Sequence, residues 1–412
     1  MYSDEIMKVL QINASDIQGG AARAAYRIHH ALRRIGIDSM MSVNQANSGD
    51  WTVQGPSSKF DQGLVMFRSL LGNLARQWFI PQKSGFHSLG LLPSGWSRKL
   101  NASTADVIHL HWLGGEMMSI GDIGKLKKPV VWTLHDMWAF CGTEHYTDDF
   151  RWRDGYRLKP KLGFDLNRWV WQRKRKAWHK PIHIVTPSHW LAECVRQSAL
   201  MRDWPVSVVP NAIDTEIWQP VEKTLARKLI GLPQEVPLLL FGAIGGSNDS
   251  RKGFDLLSKA LNHLRGQVDR LQLVIFGQSP SREHEDMGFP VHYTGHLYDD
   301  LALKVLYNAA DAVIVPSRQE VFGQTASEAL ACGTPVVCFG SSGLVDVVNH
   351  YKTGYLARPF DTEDLANGIQ WLLADKVRHH DLSVNARADS VARFSYPVVA
   401  EQYSHVYKEA MK

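Results

Sequence analysis

The chain has 412 residues, more than twice the usual single-domain size, so two domains with separate cores are expected. Apolar residues make up 44% and charged residues 21%, a balance that excludes disordered, collagen-like and coiled-coil chains. The net charge is only +5, yet residues 151–180 hold eleven Lys or Arg against Asp154 and Asp165, so basic charge marks one surface segment rather than a nucleic-acid-binding protein as a whole.

The opening MYSDEIMKVLQIN carries acids and runs straight into a strand-like segment, unlike a signal peptide, which predicts a cytoplasmic protein. The longest apolar runs, Val236 to Ile244 among them, fall far short of the roughly 20 residues that span a bilayer. Cys141, Cys194, Cys332 and Cys338 are dispersed without a CxxC pair, which argues against a disulfide framework or a thiolate zinc site.

In chain order, Val9 to Asn13 predicts a strand ending at the Gly19-Gly20 turn. Ala21, Ala25, Ile28, Leu32 and Ile35 then recur at helical spacing. Further strands are predicted at Ser39 to Val43, Val107 to His111, Val130 to Leu134, His183 to Thr186 and Val206 to Val209. Between Asp50 and Ser103 the pattern is least regular and reads as a partly helical insertion.

A second series follows, with strands at Leu238 to Phe241, Leu271 to Phe276, Val291 to Tyr293, Ala312 to Val315 and Val336 to Cys338. Helices are expected at about Gly253 to Leu264, at Leu301 to Ala310 and at Thr325 to Ala331. Runs such as VIV and VVC are apolar throughout, as strands covered on both faces should be. Two doubly wound α/β domains result, expected over 1–210 and 211–395, with a terminal helix over 396–412 that packs back on the first.

The segment PSRQEVFGQTASEALACGTPVV, residues 316–337, places Glu320 in a loop after a buried strand and Glu328 one to two turns inside the next helix. Exposed amides and the positive helix end near Gly323 suit a diphosphate. Glu320 can accept hydrogen bonds from sugar hydroxyls and Glu328 can take a ribose diol. Taken as an isolated pair, the two acids read first as a solvated charge and a helix-stabilising residue. Residues 250–257, SRKGFDLL, set Arg251 and Lys252 just before a helix opening at Gly253, where fixed cations would stabilise a departing anion; the plainer reading is an exposed basic turn.

These motifs resemble the PS-x-x-E-x-F-G-x-x-x-x-E-A-x-A-x-G-x-P-V-V signature of glycosyltransferase family 4, and the likeness continues through GLVDVVNHYKTGYLA. The resemblance implies the GT-B fold, two Rossmann-like domains facing across a cleft, and a retaining hexosyl transfer with a nucleotide diphosphate sugar as donor. No cofactor and no catalytic metal are expected. It assigns Glu320 to the donor sugar, Glu328 to the ribose, backbone amides from Phe322, Gly323, Gln324 and Thr325 to the sugar and diphosphate, and Lys252 and Arg251 to the leaving group. Many members carry an Arg directly after the glycine that ends the preceding strand, where this chain has Ala243 after Gly242.

In the first domain the resemblance makes Gly19 and Gly20 the glycine loop that approaches the donor phosphates or the acceptor. It makes His135, in WTLHD, the histidine near the reacting centre. Gly295, in YTGHL, falls in the loop that flanks the nucleobase, and Asn211 and Asp214 fall in the hinge sequence. His109 and His111 share one strand face but lack a third ligand of clear spacing, so no metal is assigned to them.

The implied setting is bacterial surface-polysaccharide assembly on a lipid-linked saccharide acceptor at the cytoplasmic face of the inner membrane. Trp169, Trp171 and Trp178 among the cations of 159–180 fit an anionic membrane surface, and equally a solvated helix whose tryptophans pack inward. RNA binding finds no other supporting feature, so no nucleic-acid partner is expected. A GT-B nucleotide-sugar epimerase and a noncatalytic membrane or nucleic-acid adaptor are the competing functions. An oxidoreductase would need a G-x-G-x-x-G after its first strand, which the chain lacks.

Overall fold

A computed structural model describes residues 6–79, 85–158, 164–242, 249–278, 287–297 and 299–412. The chain divides into two compact units, Met1–Ala212 with Val399–Lys412, and Ile213–Val398.

In the first unit the strands are β1 (Lys8–Ser15), β2 (Asp38–Gln45), β3 (Val53–Gln54), β4 (Val107–Leu110), β5 (Val130–Thr133), β6 (His183–Thr186) and β7 (Val206–Val208). They form a parallel sheet in the order β3-β2-β1-β4-β5-β6-β7. Because β1 has β2 on one side and β4 on the other, the winding reverses there, and the carboxyl ends of β1 and β4 flank the crevice where such sheets bind ligands. Helix α1 (Gly20–Arg34) follows β1 and buries Ala24, Ala25, Ile28, Ala31 and Leu32, one apolar stripe at helical spacing.

The predicted insertion contains α2 (Lys59–Phe79) and α3 (Trp96–Asn101). Arg68 anchors α2, its guanidinium donating to the carbonyls of Leu92 and Pro93, both at 2.8 Å, and of Glu116 at 2.6 Å. Along the same helix Phe60, Leu64, Phe67 and Leu74 share an exposed apolar face. After α4 (Ile120–Gly124), the basic segment yields α5 (Leu166–Ala177), and α6 (His189–Gln197) follows β6.

In α5, Trp171, Trp178 just beyond its end, and Lys174 are all buried. The Lys174 ammonium donates to the carbonyls of Trp138, Cys141 (3.1 Å) and Gly142 (2.8 Å), and burial pushes its pKa down to about 7. Of the two readings of these tryptophans, inward packing holds for Trp171, against Tyr156, and for Trp178, against Trp132 and Trp138. Trp169 remains partly exposed under Arg173. Residues 159–163 of the segment lie outside the described residues.

The second unit holds α7 (Lys223–Leu229), β8 (Leu238–Gly242), α8 (Phe254–Leu264), β9 (Gln272–Phe276), β10 (Val291–Gly295), α9 (Asp300–Ala309), β11 (Ala312–Val315), α10 (Gln324–Ala331), β12 (Val336–Phe339), β13 (Gly354–Ala357), α11 (Thr362–Leu373) and α12 (Lys376–Phe394). Its parallel sheet runs β10-β9-β8-β11-β12-β13, with the switch between β8 and β11. Strand β13 has no expectation behind it in the sequence pattern, since Gly354, Tyr355 and Lys352 interrupt the apolar run. The last helix, α13 (Tyr396–Ala410), puts Tyr403 and Tyr407 against the first sheet, where their hydroxyls meet Thr133 Oγ1 at 3.0 Å and His109 Nδ1 at 2.8 Å. No described helix is long and apolar enough to cross a membrane.

Candidate active site

The loop that leaves β11 at the switch point carries the second unit's chemistry. Gly253 turns at φ +67°, and a Cβ there would sit 1.9 Å from the Pro316 carbonyl oxygen, so only glycine lets the 250–253 turn lie against the loop. The contact is fastened by Arg318. Its backbone N–H donates to the Arg251 carbonyl at 2.7 Å, and its guanidinium forks onto Asp255 at 2.8 and 2.6 Å.

This packing delivers the Lys252 ammonium to Glu320 Oε1 at 2.7 Å, with Ser317 Oγ donating to the same oxygen at 2.9 Å. Both members of the pair are partly exposed, so each keeps hydrogen-bonding capacity for a ligand. The backbone of Glu320 is clamped as well, its N–H donating to Ser342 Oγ at 2.9 Å and its carbonyl accepting from Gly343 N–H at 2.8 Å.

Three residues on, Gly323 opens α10 at φ +99° without a side-chain cap, which sets the positive end of the helix beside the loop. A Cβ at Gly323 would meet Leu344 Cδ2 at 2.6 Å. Phe322 is buried against Phe394 and offers the loop only its backbone, whereas Gln324 and Thr325 are partly exposed on the first turn. Glu328 is buried, and Tyr307 donates to its Oε2 at 2.9 Å. Burial, with the nearby Glu328, pushes the Tyr307 pKa well up, so it stays a donor.

The structure thus brings Lys252 and Glu320 into contact, with Glu328 farther along the helix. Arg251 instead turns to Asp249, which its guanidinium contacts at 3.1 and 2.6 Å. Gly295 ends β10 at φ +69° where the register shifts, and a Cβ there meets nothing within 4 Å among the described residues. Ala243 lies outside the described residues. Ser317, Tyr307 and Ser342 are neighbours that the sequence reading missed; Ser317 stands inside the motif, whereas Tyr307 reaches the Glu328 carboxylate and Ser342 the Glu320 backbone only through tertiary contact.

In the first unit, Gly19 caps α1 at φ +88°, and a Cβ built at Gly19 or at Gly20 meets nothing within 4 Å among the described residues. His135 follows β5, is partly exposed, and has its Nε2 3.0 Å from His111 Nδ1. Burial lowers the pKa of His135 to about 4 and those of His109 and His111 well below the usual imidazole range, so all three are neutral at pH 7. His109 is saturated by Thr133 and Tyr407. Next to His135, Asp136 accepts from Trp112 Nε1 at 2.8 Å and contacts His145, which fixes the loop after β5.

Known proteins resemble this chain in both units. Residues 18–217 match the family description "Glycosyltransferase Family 4" and residues 237–389 match "Glycosyl transferases group 1". A D-inositol 3-phosphate glycosyltransferase of Thermobispora bispora is 30% identical over 332 residues, covering 74% of this chain and 71% of that one. The chain belongs to the family 4 glycosyltransferases.

The Stackebrandtia nassauensis protein of the same description is 33% identical over 227 residues, 50% of this chain. That match spans about half, 49%, of the relative's own length. The fold matches that of Anabaena HepE in complex with UDP-glucose, at a TM-score of 0.64 and 16% identity, over 98% of this glycosyltransferase and 100% of that structure. The architecture is GT-B, with two parallel-sheet α/β domains.

Proposed function

We propose that this glycosyltransferase moves a hexose-type sugar from a nucleotide diphosphate sugar to a saccharide acceptor, with retention of anomeric configuration and without a catalytic metal. The observation that carries the reading is the Lys252–Glu320 contact of 2.7 Å, held at the switch point just ahead of the uncapped N-terminus of α10. As the bond from the sugar C1 to the diphosphate oxygen breaks, negative charge grows on that oxygen. Lys252 and the amides of Gly323 to Thr325 stabilise it where it develops, with Arg251 as a more distant cation.

Glu320 accepts hydrogen bonds from sugar hydroxyls, and Glu328, oriented by Tyr307, takes the ribose diol. The acceptor oxygen bonds to C1 on the face the diphosphate leaves, and its proton passes to the departing oxygen, so no separate base is needed. Gly19 and Gly20 present an amide-lined helix start without side chains to obstruct phosphate, Gly295 borders the base, and His135 supplies a hydrogen-bonding group at the reacting end.

The acceptor is proposed to be lipid-linked, within surface-polysaccharide assembly, with the enzyme peripheral to the cytoplasmic face of the membrane. Two features of the first unit support this. The exposed face of α2 offers Phe60, Leu64, Phe67 and Leu74 to an interface. Arg157, Arg168, Arg175 and Arg202 line a groove of ≈ 380 Å³ whose one acid among the described residues is Asp154, a setting for anionic headgroups.

Incubation with a nucleotide sugar and lipid-linked saccharides, with NMR of the new linkage, tests the reading. An α-linked product from an α-linked donor, abolished in Lys252→Ala, is expected; an inverted linkage, or an epimerised donor without acceptor, contradicts it. Cosedimentation with phosphatidylglycerol vesicles that is lost in Phe67→Glu is expected for the membrane arm.

A further inference from the structure

Around the crevice of the first unit, polar side chains from five separate segments join in one line that leads to His135. Asp50 is its fixed end. Its carboxylate accepts from Thr52 Oγ1 at 2.7 Å, from Thr52 N–H at 2.8 Å and from the Tyr26 hydroxyl at 3.1 Å, and lies 2.9 Å from His30 Nε2. Burial alone would raise its pKa, but the Thr52 and Tyr26 hydrogen bonds hold it down to about 2, so it accepts and never donates.

That one constraint orients every link. Thr52 has a single hydroxyl proton and gives it to Asp50, so at 2.7 Å it accepts from His29 Nε2, which must carry a proton. His29 is buried, with its pKa lowered to about 3, so it is neutral and its Nδ1 is bare. Nδ1 therefore accepts from Ser39 Oγ at 2.8 Å. With its proton spent, Ser39 accepts from Gln11 Nε2 at 3.0 Å, and the other end of that amide, Oε1, faces His111 Nε2 at 2.8 Å. His111 must then be protonated at Nε2 and bare at Nδ1, and it accepts from His135 Nε2 at 3.0 Å.

We propose that this one-way chain from Asp50 through Thr52, His29, Ser39, Gln11 and His111 fixes His135 as its Nε2-protonated tautomer and offers Nδ1 as an acceptor to a substrate hydroxyl. The six upstream groups are positioning residues, since none of them meets the substrate. The substrate half of the proposal rests on the transferase reading above, whereas the tautomer does not. Hydroxyl donors are thereby selected at His135 over carbonyl or phosphate oxygens, which a bare nitrogen repels.

His29, His30 and Asp50 have ligand atoms within 4.8 Å of one another, the spacing of a loose metal trio. Both His29 nitrogens are already committed, to Ser39 and Thr52, which makes the trio the anchored end of the chain instead.

The test is the ring ¹⁵N spectrum of His135 in donor-free, histidine-labelled protein, assigned by the signals absent from His135→Gln. The expected result is a protonated Nε2 and an unprotonated Nδ1. In Asp50→Asn the new amide can donate to Thr52, which lets each link reverse and the Gln11 amide turn over. The two His135 nitrogen shifts should then exchange. Thr52→Val, nearly isosteric, cuts the chain and should leave both nitrogens at averaged shifts, which keeps the test open if Asp50→Asn does not fold. A wild-type His135 protonated at Nδ1, or one indifferent to both folded variants, overturns the proposal. A tautomer as expected in a protein that transfers no sugar would instead count against the transferase reading alone.

Discussion

The two units build their polar sites in opposite ways. In the second, Ser317, Glu320, Gly323 and Glu328 lie within twelve residues of chain, and Lys252 is brought in by a turn that Gly253 and Arg318 lock. In the first, His135 is the end of a line gathered from β1, α1, β2, the segment at 50–52 and the end of β4. Local assembly tolerates substitution elsewhere in the unit, because one strand-loop-helix passage carries its geometry. Distributed assembly ties a reactive group to side chains far away in sequence, and any link that fails is felt along the whole line.

The largest effect that would break this contrast belongs to the contiguous site. Replacing Lys252 with Ala should lower kcat by ~10²–10³, the usual cost of one donor aimed at a developing anion, with a smaller change in KM. Steady-state kinetics with a fixed acceptor measures it, and near-normal turnover would remove Lys252 from the leaving-group role.

Next comes acid sensitivity, which should be a property of the first unit. The folded pKa values of His29, about 3, and His135, about 4, lie below the ordinary 6.5, so the unfolded chain takes up protons first. Stability is therefore complete above pH 6.5 and falls as pH drops, by about 2 kcal/mol for each group at pH 5. Urea unfolding at pH 7.5 and pH 5 tests the sign; a midpoint unchanged by acid would show that these imidazoles are not held neutral.

Gly323→Ala should cost about 1–3 kcal/mol of second-unit stability and weaken donor binding, because φ +99° and the 2.6 Å approach to Leu344 both oppose a Cβ. Denaturant midpoints report the first effect and calorimetry the second. The smallest expected change is that of Tyr307→Phe, which strips Glu328 of a donor at a cost of about 1 kcal/mol and a few-fold in donor affinity. An unaltered affinity would mean that Tyr307 supports packing alone.

What could be read in advance follows the same division. The strands of both sheets announced themselves as apolar runs because parallel strands are covered on both faces, whereas β3, two residues long, and β13, broken by polar residues, left no such signal. Glu320 and Lys252 were legible since their motifs are contiguous. Tyr307 was not, because a tyrosine inside an amphipathic helix looks like any core residue until the fold turns it toward Glu328. Gln11, Ser39 and Thr52 were equally silent, being small polar groups whose meaning arises only when five segments meet. For Trp171 and Trp178 the sequence left a membrane surface and inward packing equally open, because cations mark α5 as a surface element while its aromatics need cover, and the structure takes the second.

The central claim, that the second unit holds a nucleotide diphosphate sugar through the 316–328 passage, is tested most directly by titrating UDP-, GDP- and ADP-sugars into the wild-type protein and into Glu328→Ala by calorimetry. The account predicts saturable binding of one nucleotide class by the wild type and a loss of at least tenfold in affinity in Glu328→Ala. Binding that is equal in the two proteins, or absent for every donor, would contradict it.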